Sequence, residues 1–196
     1  MRTCQVVIVG AGGLGRETHD FVVGDLGRQG ALEVVGSLEV VGFLDDEADF
    51  ELLSKMGAKW LGPELDFLTR PTTQHFLLAI GDPVLREKLA IKYSQAGLTP
   101  ATFVHSTATI GSNVEMGLGC IVSAGARVMS NSTLGNFVQI DRDAALGHDC
   151  SAEDFATLHP RAIASGGVTL GRRSRLGTRS CVLPNVCVQE DAFVGA

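Results

Sequence analysis

From Val104 to Val194 every sixth residue is apolar, sixteen positions in all, and the phase never slips. Two residues before each, from Ala108 to Ala192, stands Ala, Val, Cys or Ser. An α-helix repeats at 3.6 and a half-buried strand at 2, so neither accommodates a period of six. A three-sided solenoid does, with six residues per side and eighteen per coil. The aliphatic residue points inward and the small residue fits a narrow interior. Glycine often follows the aliphatic residue, as at Gly111, Gly135 and Gly147, and is expected to relieve the corner. The pattern predicts a left-handed parallel β-helix of about five coils, stacked ~4.8 Å apart. Cys120 and Cys150 fall in the small-residue column, so phase alone predicts their burial. The last residues, "VGA", lie just inside a new rung. An open coil end exposes strand edges, so a cap is expected from a partner or from a further C-terminal segment.

Residues 1–100 follow a different grammar. "CQVVIVG", "LEVVGFLDD" and "HFLLAIGD" read as strands, while "GLGRETHDFVVGDL" and "PVLREKLAIKYSQAG" read as helices, the second opening on proline and closing on glycine. Strands alternating with helices imply a parallel sheet covered by helices, a Rossmann-like α/β domain. "DLGRQGALEVVGS" reads as a surface insertion. The expected division is 1–100 for this domain and 101–196 for the β-helix.

A net charge of -6 argues against nucleic acid as the main partner, because phosphate backbones are bound through clustered Lys and Arg. No apolar run approaches the ~20 residues that span a bilayer. The opening segment has too short an apolar core for a signal peptide, so a cytoplasmic location is expected. Five cysteines without a CxxC pair suggest reduced, buried thiols rather than a disulfide frame.

Several residues are not explained by the repeat. His148 and Asp149 sit side by side at an outward corner, with Ser130 and Gly166 eighteen residues away on either side. They read either as a base beside bare backbone or as an ordinary solvated corner. Phe137 and Phe155, eighteen apart, stack on one outer face, which suggests a subunit interface or packing under the first domain. Arg161, Arg172, Arg173, Arg175 and Arg179 gather in the last coils, where they meet either phosphates or water. His105 and His159 invite a metal reading, but zinc needs three or four convergent ligands and the spacing supplies no such cluster, so no metal is expected. Gly10, Gly12 and Gly15 form G-x-G-x-x-G between a strand and a helix, where backbone amides can approach a phosphate. Asp45 and Asp46 end the second strand, and Gly81 and Asp82 the third, on the same carboxyl edge. Nucleotide binding follows. Nicotinamide chemistry does not, since a β-helix is no hydride-transfer domain.

Taken in order, "VGAGGLGRE", "VVGFLDDE", "AIGDPVLREKLA", "LGHDC", "SGGVTLG" and "SCVLPNV" resemble the bacterial sugar acetyltransferases, which include sialic-acid O-acetyltransferases and nucleotide 4-amino-sugar N-acetyltransferases. The resemblance implies a nucleotide-sugar-binding domain, a homotrimeric β-helix and acetyl-CoA as donor. It implies His148 as general base and Asp149 as its orienting partner. Donor contacts fall on Thr157, Gly166, Thr178 and Ala196, and substrate contacts on Gly12, Gly13, Leu14, Asp45, Asp46 and Gly81. The chain departs from the amino-sugar enzymes in carrying Leu14 and Thr157 where they have histidines. N-acetylation of a nucleotide-linked 4-amino sugar is the leading expectation, with O-acetylation of sialic acid or another sugar second. A non-catalytic nucleotide-sugar-binding scaffold is the alternative from another class.

Overall fold

The computed structural model describes residues 4–25 and 38–196, which form two compact units, Met1–Ala101 and Thr102–Ala196. Most of the insertion expected at 25–37 lies outside the described residues.

In the first unit β1 (Cys4–Val9) runs parallel between β2 (Leu38–Leu44) and β3 (His75–Leu78), and the two-residue β4 (Thr99–Pro100) extends the sheet beyond β3. Val6, Val7 and Ile8 are fully buried, as a central strand covered on both faces requires. The chain leaves β1 for a neighbour on one side and later occupies the other, so the carboxyl end of β1 is a topological switch point. Helix α1 (Gly13–Asp25) starts there. Two six-residue helices fill the stretch before β3, α2 (Phe50–Lys55) and α3 (Glu64–Thr69). The Asp49 side chain caps α2 by accepting from the Leu52 N–H at 3.1 Å. Helix α4 (Pro83–Gln95) carries proline in its first turn and is capped by Asp82, which accepts from the Leu85 N–H at 2.8 Å.

The second unit is a parallel β-helix of sixteen two-residue strands, β5 (Phe103–Val104) to β20 (Phe193–Val194), laid on three sides. Side one holds the strands at 103, 121, 139, 157, 175 and 193. Side two holds those at 109, 127, 145, 163 and 181, and side three those at 115, 133, 151, 169 and 187. Every pairing is parallel and joins a residue to the one eighteen further on, as Ala145 to Ile163 and Leu146 to Ala164. The aliphatic and small columns together make the core, with Val128, Ala144, Leu146, Ala156 and Leu158 fully buried. Burial pushes the Cys150 thiol up, and its Sγ contacts the Ser165 carbonyl at 3.0 Å. Cys181 and Cys187, by contrast, are exposed on outward positions.

The corners differ from expectation. The glycines after the aliphatic residues do not supply the bend. The left-handed backbone falls two residues later, at eleven non-glycine positions that include Asn113, Asn131, Asp149 and Asn185, and at Gly119, Gly125 and Gly167. Asn and Asp enter that region more readily than most residues. The glycines answer to close approach instead. A Cβ on Gly147 would lie 2.7 Å from the Ser165 carbonyl carbon, and one on Gly171 2.6 Å from the Glu190 nitrogen.

Phe137 and Phe155 also occupy such corners, with φ of 56 and 63. Their rings stack at 5.3 Å with an interplanar angle of 2°, and the Arg172 guanidinium covers the Phe155 ring at 5.2 Å. Only 7% and 6% of each is exposed. The expected exposed aromatic pair is therefore a buried stack within a single chain.

Candidate active site

His148 lies on the corner between sides two and three, after the strand Ala145–Leu146. Its Nδ1 is 2.7 Å from Asp149 Oδ2, and the two side chains are 70% and 57% exposed. The contact assigns the tautomer: Nδ1–H donates to the carboxylate, so Nε2 carries the lone pair. The hydrogen bond from His148, and after it one from Asn131, holds the Asp149 carboxyl below its usual range. Asp149 adopts φ 57, and its N–H donates to the Ser130 carbonyl at 3.0 Å, which fixes the corner to the coil below.

The imidazole lies against Gly166 of the coil above. A Cβ there would stand 2.6 Å from both Cε1 and Nε2. Among the described residues the Gly166 N–H has no hydrogen-bond partner. Gly166→Ala is therefore expected to push the ring off its position while leaving the coil intact. Transfer activity should drop at least about tenfold, since small misplacements of a reacting group are costly. An unchanged melting temperature would accompany the loss, and an unchanged rate would show that the ring position is not critical.

The other expected donor contacts are spread over the prism. Thr178 and Ala196 are exposed at the corner between sides one and two. Thr157 sits on side one with 1% exposure, so its side chain offers no open surface in a single chain.

In the first unit Gly12 and Gly13 are exposed, and a Cβ on either would meet nothing within 4 Å. Gly10 and Gly15 hold the motif's tight packing: a Cβ on Gly15 would run into the Gly10 carbonyl. Gly81 is also exposed, and Leu14 half-buried. The Asp45 carboxylate already has partners on both oxygens, Oδ2 accepting from the Ala11 N–H at 2.6 Å and Oδ1 from the Glu47 N–H at 2.8 Å. It clamps the glycine loop to the end of β2. Asp46 Oδ1 accepts from the Glu64 N–H at 2.9 Å, at the start of α3.

The PglD N-terminal domain family matches residues 5–93. Over 186 residues, 91% of this chain and 78% of the other, it is 25% identical to a GDP-perosamine N-acetyltransferase of Escherichia coli O157:H7. PerB from Caulobacter crescentus, solved with CoA and GDP-perosamine, superposes with a TM-score of 0.83 at 27% identity, covering 98% of this chain and 86% of that one. The acetyltransferase domain of PglB from Neisseria gonorrhoeae FA1090, in complex with acetyl coenzyme A, gives a TM-score of 0.84 at 26% identity, covering 100% and 89%. Over nearly its whole length the chain is similar to sugar acetyltransferases.

Most of the late arginines are paired. Arg173 donates to Asp191 at 2.6 Å and to Glu190 at 2.7 Å. Arg161 reaches Asp143 at 3.4 Å, Arg172 reaches Asp154 at 3.5 Å, and Arg175 covers the Phe193 ring at 5.1 Å. Arg179, beside Thr178, is exposed, and its guanidinium has no partner among the described residues. His159 pairs with Asp141 at 3.3 Å, and His105 with Thr107 at 2.9 Å. Among the described residues no three His, Cys, Asp or Glu side chains converge as a metal site would need, and no helix is long and apolar enough to cross a membrane.

Proposed function

We propose that the protein transfers acetyl from acetyl-CoA to the amino group of a nucleotide-linked 4-amino deoxysugar. The observation that carries this is the His148–Asp149 pair on a fold shared with enzymes solved holding CoA and GDP-perosamine. His148 Nε2 takes the proton from the sugar nitrogen as that nitrogen attacks the thioester carbonyl. Asp149 holds the tautomer and favours the imidazolium that forms. The unpartnered Gly166 N–H, next to the ring, is the donor for the developing oxyanion. Collapse breaks the C–S bond, and the CoA thiolate leaves with a proton returned from His148.

Thr157, Gly166, Thr178 and Ala196 are the proposed donor contacts, with Arg179 beside Thr178 for a phosphate. Gly166, Thr157 and the Thr178–Ala196 stack occupy different corners and sides, so a donor touching all of them lies between copies, as in a homotrimer. Residues 1–100 are the proposed nucleotide-sugar-binding domain and 101–196 the acyltransferase domain. Gly12, Gly13 and Leu14 offer first-turn amides of α1 to a phosphate, while Gly81 and Asp46 line the same strand edge. Asp45 acts on the substrate through the loop it clamps. The setting proposed is the cytoplasm.

The test is mass-spectrometric acetyl transfer to UDP-, dTDP- and GDP-linked 4-amino sugars and to free sialic acid. One acetylated amino sugar is the expected result. Acetylation of sialic acid alone would move the reaction to oxygen, and failure to bind acetyl-CoA would leave a sugar-binding scaffold.

A further inference from the structure

His148 and Asp149 are both more than half exposed, so water competes for each and burial does not fix either one. Attraction between exposed charges holds little geometry by itself. The corner supplies what burial does not. Asn131, one coil below, donates from Nδ2 to Asp149 Oδ1 at 3.0 Å. Asn113, a further coil below, donates from Nδ2 to Asn131 Oδ1 at 3.1 Å. The Asp149 carboxylate can only accept, so Asn131 turns its Nδ2 to it and leaves its amide oxygen for Asn113. On the other side the column reaches Gly167, which has no side chain to compete for the carboxylate. The ladder therefore ends with one Asp149 oxygen held and the other left for His148 Nδ1.

We propose that Asn131 is a positioning residue, fixing Asp149 so that its Oδ2 holds His148 in the tautomer with Nε2 free. This rests on the reading of His148 as general base. Asn131 itself touches no reacting atom. Within this corner Ser130, Asn131, Gly166, Gly167 and Asn185 carry no ionisable group, so Asp149 is the charge beside the imidazole there.

Two variants test it. Asn131→Asp is nearly isosteric, tolerates the left-handed backbone and still accepts from Asn113, but offers Asp149 a carboxylate instead of a donor. Asn131→Gly keeps the backbone conformation at no steric cost and removes the side chain. Two readouts are taken: the 15N signature of the neutral His148 tautomer, and kcat and KM for acetyl transfer. Both variants are expected to shift His148 from Nδ1–H towards a tautomer mixture and to lower kcat about tenfold, with KM unchanged. A wild-type tautomer in both variants would overturn the proposal, whatever the rate. A shifted tautomer in a protein whose wild type acetylates no acceptor would support the positioning role and sink the acetyl-transfer reading instead. Should Asn131→Gly melt early, Asn131→Asp decides alone.

Discussion

His148→Ala is expected to transfer acetyl at least about a hundredfold more slowly than wild type, with acetyl-CoA affinity nearly unchanged. Asp149 stays in the corner, but a carboxylate is a far weaker base than an imidazole near neutral pH. The coil above presents bare Gly166 and the coil below Ser130, and neither accepts a proton near neutral pH. The fold does not depend on the ring, whose side chain is 70% exposed. A stable, donor-binding and slow variant identifies the base by its kcat. A variant of ordinary rate would send the search to another residue and leave His148 as a solvated corner.

The second large effect is on stability and lies in the other unit. Gly15→Ala places a methyl against the Gly10 carbonyl, with the Gly10 carbonyl carbon 2.9 Å away. Gly10 cannot retreat, because it sits at φ 98 with the Ile80 side chain already 2.6 Å from where its own Cβ would be. The obstacle is backbone, so the cost should exceed the roughly 1–3 kcal/mol of ordinary overpacking. Hydrogen exchange is the measurement that locates it. Protection should collapse in β1, β2 and β3 while amides of the β-helix core stay protected. A wild-type melt would mean that α1 shifts along the sheet without harm.

The β-helix was legible because its period is unlike that of any other element and runs without a break from Val104 to Val194. Its corners were misread, since the motif suggested glycine for the bend. The sequence-level sign lay two residues on, in the recurring Asn and Asp of positions 113, 131, 149 and 185. The short helices Phe50–Lys55 and Glu64–Thr69 escaped because six residues carry under two turns of apolar periodicity. Their trace was Asp49 before one and Pro63 before the other. At the site, His148 and Asp149 stood out as neighbours in sequence. Asn131 did not, because its contact is made across eighteen residues. Applying the same step to charges pairs Asp143 with Arg161, Asp154 with Arg172 and Arg173 with Asp191, which removes most of the supposed phosphate-binding cluster. Asp45 read as a ligand acid from its place at a strand end, yet its carboxylate serves the loop beside it.

The uniform pairing of each residue with the one eighteen further on also limits how such a chain can change length. Removing eighteen residues from the coils before His148 would leave every side, corner and column above and below in line, and would cost only one layer. Removing six would keep the apolar phase, and so pass for harmless in an alignment. It would nonetheless turn everything after it by one side relative to everything before. Where the six are lost between Asn131 and Asp149, Asn131 stands beneath a different corner from Asp149, and the imidazole loses its ladder while each coil stays well packed. Gains and losses in this half of the gene are thus tolerated by the fold in sixes, but by the chemistry only in eighteens.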